Sequence, residues 1–305
     1  MIYRRGVSMS RYLGIDIGGT EIKYGIFNDI GDEFIGEKSS IKSVRDDLDK
    51  IIDILVGIIK NAKDIEGVGI SIPGGVDSEN GIIIEGGAIP VLAGVDLIGI
   101  LKKKTGFNIA IENDANCVVL AEKWIGNGKD CSSFVCMTIG TGIGGGMFIN
   151  NKIHVGKNFF AGEFGYIIIG DFDDYNNIPT LSLLSATEPL LKQVAEAKGM
   201  KLEEINGIKV FEMIENGDDI VIKIYRNWLR KLCIGINNIG FSIDPEKFLI
   251  GGGISGAPRL IPDIKEELNK INPYTKSWKI ETCKHFNSSG KIGAVYNYLV
   301  RNELI

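Results

Sequence analysis

A chain of 305 residues is long enough for two domains sharing a cleft, and 44% hydrophobic with 24% charged residues is the composition of a soluble globular protein. The net charge of -5 and pI near 5.3 give no electrostatic reason to expect nucleic acid. No run reaches the ~18 apolar residues of a membrane span, and the basic start, Met1 to Ser10, lacks the apolar stretch of a secretory signal. A cytoplasmic protein without membrane or nucleic-acid partners is therefore expected, with Met9 a candidate natural start and residues 1–8 a weakly ordered extension ahead of it.

Tyr12 to Asp16 reads as an apolar strand ending in a carboxylate, followed by the turn Ile17-Gly18-Gly19-Thr20 and a returning strand, Ile22 to Phe27. A third strand is expected at Glu33 to Glu37. Leu48, Ile51, Ile52, Leu55 and Ile59 have helical spacing within 46–63. Gly67 to Ile72 reads as a strand buried on both faces and broken by Pro73-Gly74-Gly75. A helix over 95–105 closes at Gly106. The strand Ile109 to Ile111 delivers Glu112-Asn113-Asp114 at its C-terminal end, and a helix follows to Gly126. Phe134 to Val155 reads as strand, glycine turn, strand, Asn150-Asn151 turn, strand. Helices near 188–198, 210–215 and 218–243, a strand 247–250, a helix 258–271, a strand 278–282 and a helix 290–303 complete the chain. Hairpins followed by alternating helices and strands, twice over, argue mixed sheets covered by helices. The expected division is a domain of residues 1–122, with the C-terminal helix 290–305 packing back on it, and a second domain of residues 123–289.

The chemistry centres on glycine turns and on acids next to them. In Thr138 to Gly146 the glycines are expected to reach positive φ and to crowd backbone N–H groups around an anion such as a phosphate. Gly140, Gly142 and Gly145 fit G-x-G-x-x-G, with Glu163 at the distance of a ribose-binding acid. That fingerprint demands a following helix, and β-favouring residues follow instead, so a dinucleotide site is excluded. No P-loop motif occurs. Asp16 beside Gly18, Gly19 and Thr20 suits a metal ion held through water with a phosphate on the turn amides, or else is a plain hairpin turn. Gly251-Gly252-Gly253 follows an apolar strand and permits close approach of a flat ring or ribose. Asp114 is placed to act as a general base, or to cap the helix it begins; Asn113 could take the cap and leave the acid to the cleft. Glu163, between Gly162 and Gly165, is either a ligand-facing acid or a surface acid in a loop. Cys117, Cys131, Cys136, Cys233 and Cys283 share no C-x-x-C spacing, and His154 and His285 stand alone, so no zinc site is expected.

Taken together, LGIDIGGTEIK (13–23), ENDANCVVLAE (112–122), TIGTGIGGG (138–146), AGEFGY (161–166) and LIGGGIS (249–255) resemble the ROK family of sugar kinases, in order and over nearly the whole chain from Tyr12. The resemblance implies an α/β, two-domain, actin-like ATPase (ribonuclease H-like) fold with mixed sheets and an interdomain cleft. It implies Asp114 as catalytic base, with Asn113 and Glu163 on sugar hydroxyls and Gly74 and Tyr166 also at the sugar. Gly18, Gly19, Thr20, Lys23, Gly140, Thr141, Gly142 and Gly144 are implied at ATP, Gly252 and Gly253 near adenosine, and Asp16 at Mg²⁺ through water.

Two departures bear on the substrate. Tyr166 stands where typical members place a His that touches sugar and binds zinc, and Asp171 to Leu183 replaces their cysteine cluster without one cysteine. The second sugar-binding Glu of that cluster goes with it, and Glu188, though close in sequence, does not align with it. Zinc-less members with G-E-F-G-Y look like a subgroup that includes β-glucoside kinases, glucokinase-like proteins and N-acetylmannosamine kinases. The expected protein is an ATP-dependent kinase of a hexose-type hydroxyl, the 6-OH of glucose or a glucoside, with a pocket open enough for a substituent. N-acetylmannosamine, mannose and fructose are the alternatives, and a homodimer is compatible with the resemblance. A sugar-responsive regulator would need a helix-turn-helix ahead of the first strand, and eleven residues precede Tyr12.

Overall fold

The computed structural model describes residues 10–34 and 39–305, so the expected extension over residues 1–8 lies outside the described residues. The chain divides into two compact units. The first holds the chain up to Lys129, together with Gly156–Phe160 and Asn287–Ile305; the second holds Asp130–Val155 and Ala161–Phe286. The helix that begins at Asp114 runs unbroken to Ile125, which carries the first unit past the residue-122 boundary expected from sequence.

In the first unit, β1 (Tyr12–Ile17), β2 (Glu21–Phe27), β3 (Ser39–Lys42), β4 (Gly67–Ile72) and, after the short hairpin β5 (Val76–Asp77) and β6 (Ile82–Ile83), β7 (Ile109–Asn113) supply one five-stranded sheet, β5 and β6 forming a separate ribbon. The sheet order is β3-β2-β1-β4-β7; β2 is antiparallel to β1 and β3, while β1, β4 and β7 run parallel. The strand expected at Glu33 to Glu37 falls largely on residues outside the described ones. Glu33 makes an isolated bridge to Phe27, residues 35–38 lie outside the described residues, and the ladder with Glu21 to Tyr24 is made by Ser39–Lys42. α1 (Leu48–Asn61) buries Ile51, Ile52, Leu55, Ile58 and Ile59 on this sheet, and α2 (Leu97–Thr105) ends at Gly106 in the left-handed conformation. α3 (Asp114–Ile125) starts directly from the end of β7.

A row of small residues crosses the sheet. Gly25, Gly14, Gly69 and Ala110 are register partners on β2, β1, β4 and β7. The C-terminal helix, Ser289–Arg301, lies in the groove they leave: a Cβ on Gly14 would stand 2.6 Å from the Lys291 carbonyl oxygen, and one on Gly69 would collide with the Ala294 carbonyl. The same helix meets α3 through Gly293, which sits against the Cys117 backbone. Asn297 Nδ2 donates to the Ile111 carbonyl (3.0 Å) and the Tyr298 hydroxyl to the Glu66 carbonyl (3.3 Å). The buried Lys291 ammonium pairs with Glu33 at 2.5 Å.

The second unit repeats the plan. β8 (Phe134–Ile139), β9 (Ile143–Ile149), β10 (Lys152–Ile153), β11 (Lys247–Gly251) and β12 (Ile280–Thr282) form a sheet ordered β10-β9-β8-β11-β12, antiparallel through the first three and parallel through the last three. Asn150 and Asn151 adopt positive φ in the β9–β10 turn, as an Asn-Asn hairpin should. Its helices are α4 (Leu181–Ser185), α5 (Thr187–Lys198), α6 (Gly207–Glu215), α7 (Asp219–Ile243) and α8 (Leu260–Ile271). α7 buries Val221, Tyr225, Trp228, Leu232, Ile236 and Ile239 at helical spacing, and Trp228 Nε1 donates to the Ala186 carbonyl at 2.8 Å. Among the described residues no helix is long and apolar enough to cross a membrane.

The small-residue row predicts that Gly69→Ala lowers stability by about 1–3 kcal/mol through overpacking. Thermal unfolding checks this, and a melting midpoint equal to that of the parent would remove the row from its role.

Candidate active site

In the first unit the chemistry gathers at the C-terminal ends of β1, β4 and β7, where ligands of open α/β sheets bind. Asp16, at the end of β1, is flanked in register by Lys23 on one side and Ser71 on the other. The Ser71 hydroxyl donates to Asp16 Oδ1 at 2.7 Å. Burial pushes the Asp16 carboxyl above the usual carboxylate range, against that hydrogen bond and the charges of Lys23 and Lys291. Gly290, in the first turn of the C-terminal helix, abuts the same carboxylate. Gly18, Gly19 and Thr20 form the turn that follows; Gly18 N–H donates to the Glu21 carbonyl (2.9 Å), and Thr20 is exposed and accepts from Ser43 N–H through its carbonyl.

Asn113, the last residue of β7, caps α3. Its Oδ1 accepts from Asn116 N–H (2.9 Å), while its Nδ2 donates to the Gly74 carbonyl (2.8 Å) and to Asp114 Oδ1 (3.0 Å). Gly74 has φ +94, a conformation L side chains rarely adopt, and a Cβ there would run into the Glu85 carbonyl. Asp114 is exposed, and its Oδ1 also accepts from Ala115 N–H at 2.8 Å. The cap of α3 thus belongs to Asn113, and Asp114 stands at the surface in the first turn of α3.

Glu112, which sequence reasoning does not single out, lies directly beneath them with 0% exposure. Its Oε1 accepts from Asn113 N–H (2.8 Å) and Asn116 Nδ2 (3.0 Å), and its Oε2 accepts from the Ser78 hydroxyl (2.8 Å). Burial raises its pKa above the ordinary carboxylate value, opposed by these three donors.

In the second unit the β8–β9 turn is tighter than expected. Gly140 N–H donates to the Gly142 carbonyl (2.9 Å), Ile143 N–H donates to the Ser182 hydroxyl (3.0 Å), and Gly144 already lies in β9 opposite Thr138. No glycine from 140 to 146 takes a positive φ, contrary to the sequence expectation. The β ladder already sets the backbone of Gly144, Gly145 and Gly146, and at Gly145 the missing Cβ provides room: Phe164 fills the space over it. Positive φ occurs instead at Gly252 (+88), which rests on the Ile139 backbone and starts a 3-10 turn over Gly253–Gly256.

Gly140, Thr141 and Gly253 line one cavity of about 910 Å³ with apolar side chains of α5 and α6 such as Leu191 and Phe211. That size and lining suit a small ligand with an apolar ring. Glu188 lines this same cavity and pairs with Lys192 at 2.6 Å. The wall residues are unremarkable in sequence because their spacing is that of ordinary helix cores.

Elsewhere in the second unit, Glu163 precedes a single 3-10 turn, Phe164–Tyr166, which buries Phe164 and leaves Tyr166 77% exposed. Gly162, at φ +95, sets the entry to that turn. Among the described residues no group of three or more His, Cys, Asp or Glu side chains could hold a metal ion.

The ROK family model matches residues 12–302. A protein named beta-glucoside kinase from Listeria monocytogenes is 36% identical over 287 residues, covering 93% of this chain and 96% of that one. A protein named N-acetyl-D-glucosamine kinase from Photobacterium profundum is 28% identical over 300 residues, covering 93% and 98%. The solved structure of the Lmo2764 protein from Listeria monocytogenes superposes with a TM-score of 0.90 at 35% identity, over 96% of this chain and 99% of that one. A ROK glucokinase from Streptomyces griseus in complex with glucose and AMPPNP shares the fold, with a TM-score of 0.79 at 22% identity over 93% and 98%. The chain belongs to the ROK family, with its actin-like α/β fold, and is one of the family's sugar kinases.

Proposed function

We propose that this sugar kinase transfers the γ-phosphoryl group of ATP to a primary hydroxyl, the 6-OH of glucose or of a β-glucoside, with Asp114 as general base. The observation that carries this is the division of labour at the start of α3: Asn113 caps the helix, so an exposed acid is held beside it with one oxygen fixed by two donors. In the reaction the sugar oxygen forms a bond to phosphorus as the bond to the ADP leaving group breaks, and Asp114 takes the hydroxyl proton. Asn113, Gly74, Glu163 and Tyr166 are read as sugar contacts. The second-unit cavity suits the adenosine, with the Gly140–Gly142 turn, Gly252 and Gly253 nearby. The Gly18–Thr20 turn and Lys23 are read as phosphate contacts, and Gly144 supports its turn from within β9.

Asp16 fits a Mg²⁺ held through water: Mg²⁺ keeps most of its waters and takes one or two carboxylates plus substrate phosphates, and Asp16 is one buried carboxylate oriented by Ser71. When bound, the ion spreads the charge of the transferring phosphoryl group. Tyr166 supports the choice of a substituted sugar. A phenol cannot ligate zinc as imidazole does, and it offers one donor and a flat face at a highly exposed position. The Listeria monocytogenes relative named beta-glucoside kinase points the same way.

Three measurements bear on this reading. Asp114→Asn keeps the fold and sugar binding and loses about 10²-fold or more in kcat; steady-state ADP release with calorimetric sugar binding checks it, and near-parental turnover would remove Asp114 as base. Ile208→Ala, at an exposed cavity-lining position, raises KM for ATP several-fold with KM for sugar unchanged. An ADP-release panel of glucose, β-glucosides, N-acetylhexosamines, mannose and fructose gives the highest kcat/KM with a β-glucoside; a clear preference for free glucose or an N-acetylated sugar would sink the substituent reading.

A further inference from the structure

We infer that Glu112 is a positioning residue for the phosphoryl-transfer step, holding Asn113 and Asp114 in register through a closed ring of buried hydrogen bonds; this rests on the reading of Asp114 as the base. The ring runs from Glu112 Oε1 to Asn116 Nδ2, from Asn116 N–H to Asn113 Oδ1, and from Asn113 N–H back to Glu112 Oε1. It determines which way the Asn113 amide faces. With Oδ1 committed to the α3 cap, Nδ2 is turned toward Gly74 and Asp114, where it donates to both. The orientation of the Asp114 carboxylate thus depends on a residue that has no exposure of its own.

The second carboxylate oxygen extends the control. Glu112 Oε2 takes the hydroxyl of Ser78, which follows β5 in the segment that leads back to Glu85. Asn113 Nδ2 grips the same segment at Gly74. One buried acid and its neighbour therefore pin the 74–85 segment to the end of β7 at two points. A plain structural role would need only that the buried carboxylate be paired. Here its partners are the backbone of Asn113, the side chain that closes the cap, and the segment that carries Gly74.

A glutamine at position 112 can keep its oxygen on the Asn113 N–H and Asn116 Nδ2 donors and give its amide N–H to Ser78, whose hydroxyl also accepts. An alanine cannot. The test measures kcat, KM for sugar and calorimetric sugar binding for E112A, E112Q, Asn116→Ala and Asp114→Asn, each well below its own melting temperature. Displacing a reacting group by ~1 Å can cost about 10²-fold in rate, so E112A is expected to lose about that much in kcat with a smaller change in KM. Asn116→Ala, which opens the ring while leaving the backbone cap, loses about 10-fold, and E112Q stays within about 5-fold of the parent. If E112A does not fold, Asn116→Ala and E112Q carry the test by themselves. Parental kcat in Asn116→Ala and E112A, or a loss in E112Q as deep as in E112A, overturns the inference. Asp114→Asn separates the two levels: if it still turns over, the base assignment fails; if it is inactive while the ring variants are unaffected, only the positioning role fails.

Discussion

The first unit depends on how closely the C-terminal helix can approach the sheet. Helices ordinarily keep their neighbours 8–10 Å away because side chains stand between. Gly25, Gly14, Gly69 and Ala110, side by side on four strands, remove that layer, and Ser289–Arg301 settles against the strand backbones. The consequence reaches the site. The helix start brings Gly290 against Asp16, its middle holds α3 through Gly293 and Cys117, and Asn297 fastens the end of β7 at Ile111. One helix from the far end of the chain thereby braces the strand end that carries Asp16 and the strand–helix junction that carries Asp114. Dispersion is lost steeply with small gaps, so a helix lifted by one methyl group would loosen all three attachments together.

Above that packed layer sits a polar one. Leaving a buried carboxylate unpaired is costly, and replacing such a group is cheap only when its partners go too. Glu112 meets this demand with three donors. Low local dielectric strengthens each of these bonds and makes the loss of any one expensive. The ring is therefore stiff, and its stiffness is passed to Asn113, whose amide has no latitude to turn over. The exposed Asp114 has its carboxylate oriented without being buried itself, which is what the proposed base requires.

Much of this is legible in the sequence because hydrophobic period and turn chemistry speak for themselves: Gly67 to Ile72 is buried throughout as its continuous apolar run implies, and Asn150-Asn151 makes the turn its composition demands. The strand Ser39–Lys42 has no local signature: it is exposed along its length, and its place is set by pairing with Glu21 to Tyr24, a tertiary fact. Gly145 misleads in another way, since lack of a Cβ reads as backbone freedom where it serves packing under Phe164. Glu112 escapes notice because a strand-end acid looks the same on paper whether it faces water or three donors. Its partners Ser78 and Asn116 lie 34 and 4 residues away in opposite directions. The walls of the second-unit cavity are hidden for the converse reason: Leu191 and Phe211 fit helical core spacing and also line the cavity.

The two units show what one topology can be made to do twice. Each sheet places an antiparallel hairpin beside two parallel strands, in the same order. In each, the parallel strand next to the hairpin leads into a glycine at positive φ, Gly74 after β4 and Gly252 after β11. Beyond that shared turn the units diverge. After Gly74 the chain folds back so that a carbonyl can receive the amide of Asn113, and a carboxylate is steadied next to it. After Gly252 it coils into a 3-10 turn, and the neighbouring helices leave a largely apolar cavity. A polar, hydrogen-bonded corner suits a sugar and a proton transfer; an apolar cavity beside a glycine turn suits a flat base and its phosphates. The specialisation arises in the segment downstream of each glycine, since the strands that present the two glycines are built alike.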